Sequence, residues 1–293
     1  MTARLPNIEQ ALALLSREGR HFPEADRSPR RLPAVAYQDR HGTHAVNLDA
    51  HALGGTARFY VDNPELATLA SSLGPRIGGR ANAVLPAIRT AQRDGLVWGF
   101  SGFAMPGHPY NIEMQGMVEL LTALLNTGQL PSLICDGGVS DGILGLAGVL
   151  AKRFGIPSLG YAPLEGLASI GPRDLLVAHK HTYQQREILV GITPDILVCV
   201  GGGPGSQREC EKAIQNGGIV VLLSLREYDY HLAVSKTYRR SKVLHEAADN
   251  GKFIVCGSVP IMRERLPRIL QVARRHSLPS RSERLVTLGR ELT

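Results

Sequence analysis

Three glycine-rich turns, each following an apolar run, hold most of the side chains able to do chemistry. The most informative is Gly202-Gly203-Pro204-Gly205-Ser206-Gln207-Arg208-Glu209. Paired glycines let a backbone turn sharply and approach a ligand closely. A helix opening at Ser206 would present free N–H groups and the positive end of its dipole, a setting suited to a phosphate. The same residues have a purely structural reading, because Ser206-x-x-Glu209 is a capping box in which both side chains satisfy helix N–H groups. The second turn is Gly137-Gly138-Val139-Ser140-Asp141-Gly142-Ile143-Leu144-Gly145, where glycines suit either a second backbone cradle or close helix–sheet packing. The third is Ser101-Gly102, at the end of the first apolar run of the main body.

Turns of this kind need strands before them and helices after them. From Gly95 onward the sequence supplies that rhythm: strands at Leu96–Phe100, Leu133–Asp136, Ile156–Tyr161, Ile196–Val200, Ile219–Leu225 and Phe253–Cys256. Helices are expected at Ile112–Asn126, Gly142–Phe154, Tyr183–Gly191, Ser206–Gln215 and Ile261–Arg275, with a loop of about twenty residues from Ala162 to His179. Short apolar strands alternating with helices predict an α/β fold, a Rossmann-like doubly wound parallel sheet with helices on both faces. Ligands in such sheets bind outside the carboxyl ends of the strands, where the strand order reverses. The first 94 residues read differently, as an N-terminal α+β extension. It holds helices near Asn7–Leu15, Pro64–Ser72 and Ala81–Arg93 and a hairpin turning at Arg40-His41-Gly42. The chain thus divides into 1–94 (an extension, lid or accessory region), 95–277 (the nucleotide-binding or catalytic domain) and 278–293 (a basic tail).

Together the turns resemble the signature of one family. The pattern GGxG[ST]xxE, present as Gly202 to Glu209, is similar to that of the Lonely Guy (LOG) proteins. These belong to a wider Rossmann-like superfamily with the DprA-like and molybdenum-cofactor-carrier proteins. The family carries an arginine on the preceding helix, and Arg186 stands in that place. The Gly137–Gly145 turn resembles its GGGxxGLMG loop, and Ser101-Gly102 its first Gly-Ser turn. The resemblance covers about residues 95–260. Gly201 stands where the family has Pro, Ser206 where it has Thr, and Tyr183-Gln184 where it has Met-His.

The resemblance implies hydrolysis of the N-glycosidic bond of a nucleoside 5′-monophosphate or related nucleotide, releasing free base and ribose 5-phosphate. Glu209 and Arg186 would be catalytic. Gly202, Gly203, Gly205 and Ser206 would hold the phosphate. Ser101, Gly102, Gly137, Gly138, Ser140 and Asp141 would line the ribose and base. A carboxylate beside C1′ stabilises developing oxocarbenium charge and can activate water, and Arg186 would keep Glu209 ionised by charge pairing. A bare structural ion pair between the two is the plainer alternative. Asp136 could meet a ribose hydroxyl, and Asp141 could equally cap its helix. His179, Lys180 and His181 with Arg173 form a possible lid or a solvated loop. His108, Tyr110 and the run Tyr228-Asp229-Tyr230-His231 follow other strands at the same edge. A different class of function is open too: a nucleotide-binding, sensing or cofactor-carrier protein without chemistry.

Composition narrows the partners. The formal charge is +7, but residues 261–293 hold eight Arg and three Glu and so supply +5 of it. A solvated helix face and frayed terminus would explain that imbalance; DNA binding by the Arg-rich end is a weaker reading. A single tryptophan argues against a stacking platform for single-stranded nucleic acid. Four cysteines without a CxxC pair argue for a reducing, cytoplasmic setting and against a disulfide scaffold. No leader peptide or membrane span is expected, no cofactor, and no metal, since the histidines lack companions at ligand spacing. The nucleotide substrate and a homodimer or higher homo-oligomer are the expected partners, with the helix Ile112–Leu125 as a candidate dimer surface or an ordinary core helix.

Overall fold

The computed structural model of the chain describes residues 34–39, 42–47, 58–61, 80–103, 111–139, 142–162, 173–178, 182–224 and 240–292. The hairpin expected near the N-terminus is present as β1 (Ala34–Asp39) and β2 (Gly42–Asn47), antiparallel with Asp39 opposite Gly42. The other strands among the described residues form one eight-stranded parallel sheet: β3 (Arg58–Val61), β4 (Val97–Gly102), β5 (Leu133–Asp136), β6 (Ser158–Ala162), β7 (Leu175–Ala178), β8 (Ile196–Val200), β9 (Ile219–Leu223) and β10 (Phe253–Cys256). Their spatial order is β10-β9-β8-β4-β5-β6-β7-β3. The fold is therefore the Rossmann-like α/β arrangement expected from the strand–turn–helix rhythm.

Among the described residues eight helices cover the sheet: α1 (Arg80–Asp94), α2 (Asn111–Asn126), α3 (Gly142–Phe154), α4 (Tyr183–Ile192), α5 (Pro204–Gln215), α6 (Lys242–Asp249), α7 (Val259–His276) and α8 (Arg281–Leu292). Strand side chains alternate between two cores, as a sheet buried on both faces requires. Trp98, Phe100, Ile196 and Val198 join α2, α3 and α7 on one face. Val97, Leu197, Cys199 and Val220 join α1, α4, α5, α6 and α8 on the other. On α2, Met117, Val118, Leu121 and Leu124 are all buried in the first core, so this face of the helix packs against the chain's own interior. All four cysteines are buried and none is joined in a disulfide, as expected of small hydrophobes. Among the described residues no helix is long and apolar enough to cross a membrane.

Several elements differ from the expectation. The stretch from Ala162 to His179 is not all loop, since β7 lies inside it and pairs with β6, Tyr161 opposite Val177. Four residues are too few to show a periodicity in sequence; pairing with β6 on one side and β3 on the other makes them a strand. β3 carries the sheet into the N-terminal third. The Arg-rich end is not frayed. Arg281 and Arg284 of α8 both donate to Asp195, just before β8, and Arg281 also reaches the carbonyls of Gln92 and Gly95, each at 2.6 Å. Asp195 takes two further bonds, from the Val97 N–H at 2.9 Å and the Ser277 hydroxyl at 3.1 Å. Leu288 and Leu292 bury in the same core as Val84 and Ile88 of α1. This charged staple lies at the amino ends of β4 and β8, opposite the glycine turns.

Candidate functional site

After β4 the chain runs outward through β5, β6 and β7, then returns to place β8 on the other side of β4. The strand order thus reverses between β4 and β8, whose carboxyl ends are Ser101-Gly102 and Val200. That reversal opens a crevice in sheets of this type, and two of the three turns flank it directly. The third follows β5, the other neighbour of β4.

Helix α5 begins at Pro204, two residues before the expected start. Gly203 is its N-cap and makes no side-chain capping bond. Proline is favoured in the first helical turn because its missing N–H needs no partner there. The capping-box reading therefore fails: the hydroxyl of Ser206 donates to the carbonyl of Gly102 at 3.2 Å, and Glu209 turns inward. Gly202 has φ +109°, and a Cβ there would lie 2.6 Å from the Ser206 side chain, so only glycine closes the turn. Gly203 faces open space. The N–H groups of Gly205 and Ser206 have no intrahelical acceptors.

Glu209 is held from two sides. One carboxyl oxygen accepts the hydroxyl proton of Ser101, and the other accepts from Arg186 Nη2 at 3.2 Å. Arg186 sits on α4, donates through Nη1 to the Gly137 carbonyl at 2.9 Å, and lies 5.4 Å from the Tyr183 ring centroid. Its Nε is buried with no partner among the described residues. All three side chains, Ser101, Arg186 and Glu209, are buried. Burial raises the pKa of Glu209, and the neighbouring charges of Glu187 and Asp136 push the same way; Arg186 and the Ser101 hydroxyl oppose the rise.

The residues expected along the ribose and base have mixed surroundings. Gly137 makes room for the Arg186 guanidinium, since a Cβ there would lie 1.7 Å from Nη1. Gly138, with φ +71°, donates its N–H to Asp136 at 2.6 Å. A Cβ on Gly102 would meet Ile143 and the Val200 carbonyl, both at 2.6 Å. Ser140 and Asp141 lie outside the described residues, as do His108, Tyr110, His179, Lys180, His181 and the run from Tyr228 to His231. Asp136 is not free for a ribose hydroxyl. Arg173 grips its two oxygens through Nε at 2.8 Å and Nη2 at 2.9 Å, with both side chains wholly buried. Arg173 is thus an interior charge rather than part of a solvated loop, and it donates to the Leu144 carbonyl as well. Its burial needs Gly148, where a Cβ would stand 1.9 Å from Nη1.

Sequence reasoning missed one feature at this site. Glu187 is buried and paired with Arg208. The only trace in the sequence is a repeated dipeptide, Arg186-Glu187 and Arg208-Glu209. Nothing local says that the two copies meet.

No protein-family model matches the chain, and no curated protein does. Solved structures similar to it include a molybdenum cofactor binding protein from the phototrophic bacterium Rippkaea orientalis. That likeness has a TM-score of 0.45 at 18% identity, over 60% of this chain and 97% of that one. A molybdenum cofactor carrier protein from Chlamydomonas reinhardtii matches with a TM-score of 0.45 at 21% identity, over 60% and 99% of the two chains.

Proposed function

We propose that this protein hydrolyses the N-glycosidic bond of a nucleoside 5′-monophosphate or a related nucleotide, releasing free base and ribose 5-phosphate. The observation that carries the reading is the joint placement of Glu209, Arg186 and Ser101 at the strand-order reversal, one helical turn from unpaired backbone N–H groups. A 5′-phosphate would dock on the Gly203–Ser206 turn, where dipole and N–H groups both favour an anion. As the bond to the base lengthens, its electron pair leaves with the base and positive charge grows at C1′. The Glu209 carboxylate stabilises that charge and takes a proton from the water that adds there; that proton then passes to the departed base, so water is divided between sugar and base and the carboxylate is restored. Ser101 and Arg186 hold the carboxylate ionised against the opposing effect of burial. Arg186 keeps its Nε–H for a ligand.

Chromatography of a nucleotide panel tests this. Free base should appear from at least one nucleoside 5′-monophosphate, and far more slowly from the same nucleoside without phosphate. A panel that binds but releases no base favours the second reading, a nucleotide-binding or cofactor-carrier protein. That reading draws support from Glu209 itself, which is only 3% exposed and bonded at both oxygens. A homodimer or larger assembly remains part of the proposal, and sedimentation would measure it.

Two variants probe the hydrolytic reading. Ser101→Ala removes a bond to the charged form of Glu209, so its pKa rises further. The ionised acid is the working form, so the acidic limb of the rate profile should move to higher pH, with about a tenfold loss of rate below it. An unmoved limb would separate Ser101 from the chemistry. Gly137→Ala drives a methyl group into the Arg186 guanidinium, and misplacement of about 1 Å can cost 10²-fold in rate. Gly137 has no positive φ, so the effect is steric, and wild-type turnover in this variant would show that Arg186 need not sit where it does.

A further inference from the structure

The dipeptide Arg186-Glu187 on α4 faces Arg208-Glu209 on α5, and the four side chains pair crosswise. The inner pair joins Arg186 to Glu209. The outer pair joins Arg208 to Glu187 through two donors, Nε to Oε2 at 2.5 Å and Nη2 to Oε1 at 2.9 Å. The outer partners are unlike in exposure: the Arg208 side chain is 45% exposed, that of Glu187 only 6%. Glu187 also lies against the start of α5, because a Cβ on Gly205 would stand 2.8 Å from its Oε1. A buried carboxylate therefore underlies the turn whose N–H groups are offered to an anion.

We infer that Arg208 is a positioning residue that cancels the charge of Glu187 beneath the Gly203–Ser206 turn and so sets the affinity of that turn for a phosphate-bearing ligand. The inference rests on the phosphate end of the proposed function and not on its catalytic end. An uncompensated carboxylate so near a helix N-terminus would oppose the dipole that attracts an anion. A half-exposed ion pair adds little to stability, whereas a buried carboxylate left alone is costly; Arg208 therefore matters chiefly through Glu187. Its guanidinium is pushed to a higher pKa chiefly by that bond; burial opposes the rise, and the charges of Glu187, Glu209 and Glu211 add to it.

Ribose 5-phosphate and inorganic phosphate serve as probes in calorimetric titrations, since neither is hydrolysed. Arg208→Gln should weaken both by about tenfold, while Arg208→Lys, which keeps the charge, should stay within about twofold of wild type. The double variant Glu187→Gln/Arg208→Gln should recover wild-type affinity to within about twofold, because the charge to be cancelled is gone. A merely structural pair would not be rescued in that way. Unchanged affinity in Arg208→Gln overturns the inference. So does a double variant as weak as the single one, which would make Arg208 a direct ligand contact. If no nucleotide yields base yet the affinities follow this pattern, the hydrolase reading falls and the inference stands. If base is released while the KM of Arg208→Gln is unchanged, the inference falls alone. Failure of the wild type to bind either probe, with no KM effect, overturns it as well.

Discussion

Glu209→Gln should lower base release by at least about 10³-fold while nucleotide affinity stays within a fewfold of wild type. The amide has the size and shape of the acid, so the packing between α5 and β4 is kept. What it lacks is the negative charge, and the lone pair basic enough to take a proton from water. Loss of an interaction made mainly in the transition state lowers kcat and kcat/KM together. The folded protein also becomes less dependent on pH. Glu209 has a raised pKa from burial, so its ionisation disfavours the fold: its contribution is most favourable below the ordinary carboxylate range and is lost as pH rises through the raised value. The amide removes that slope. Turnover within tenfold of wild type would end the catalytic assignment and leave Glu209 as the partner of a structural arginine.

The largest effect on stability is expected from Arg173→Met. Methionine fills the space of the arginine stem but leaves Asp136 charged, wholly buried and without its cation. Breaking one side of a buried pair costs about 3–5 kcal/mol, on the order of 10 °C in Tm for a chain of this size. Burial already raises the pKa of Asp136, and Arg173 is the first of the influences holding it down; without Arg173 it rises further. In the variant the loss should therefore be least at acid pH, where Asp136 is protonated in both states. It should grow as pH climbs through the ordinary carboxylate range towards the raised value. Adding Asp136→Asn should recover much of the loss, which a double-mutant cycle by denaturant titration would read out. A destabilisation below about 1 kcal/mol in the single variant would mean that water, rather than Arg173, satisfies Asp136.

Both predictions concern charges whose partners lie far along the chain: Arg173 is 37 residues from Asp136, and Ser101 is 108 from Glu209. That separation explains what reading the residues in order could and could not find. Strands such as Ile196–Val200 and Ile219–Leu223 are legible because a run buried on both faces is apolar throughout. The glycines at strand ends are legible because turn chemistry is local. A short element such as β7, whose partners are other strands, has no such local mark. The same holds for α8, whose arginines look like a solvated face until Asp195 is placed beside them.

By itself, the order of residues determined the layered α/β class, the positions of the three turns and which acid and arginine would meet as a pair. Periodicity and backbone permissiveness act over a few residues, so they can be read there. Only the tertiary structure decided that Ser206 serves the Gly102 carbonyl instead of capping its helix. It alone withdrew Asp136 to an interior arginine and set Arg186-Glu187 crosswise to Arg208-Glu209. Those outcomes depend on which polar groups are driven out of water together, and a buried charge takes whichever partner the packed sheet and helices bring within reach.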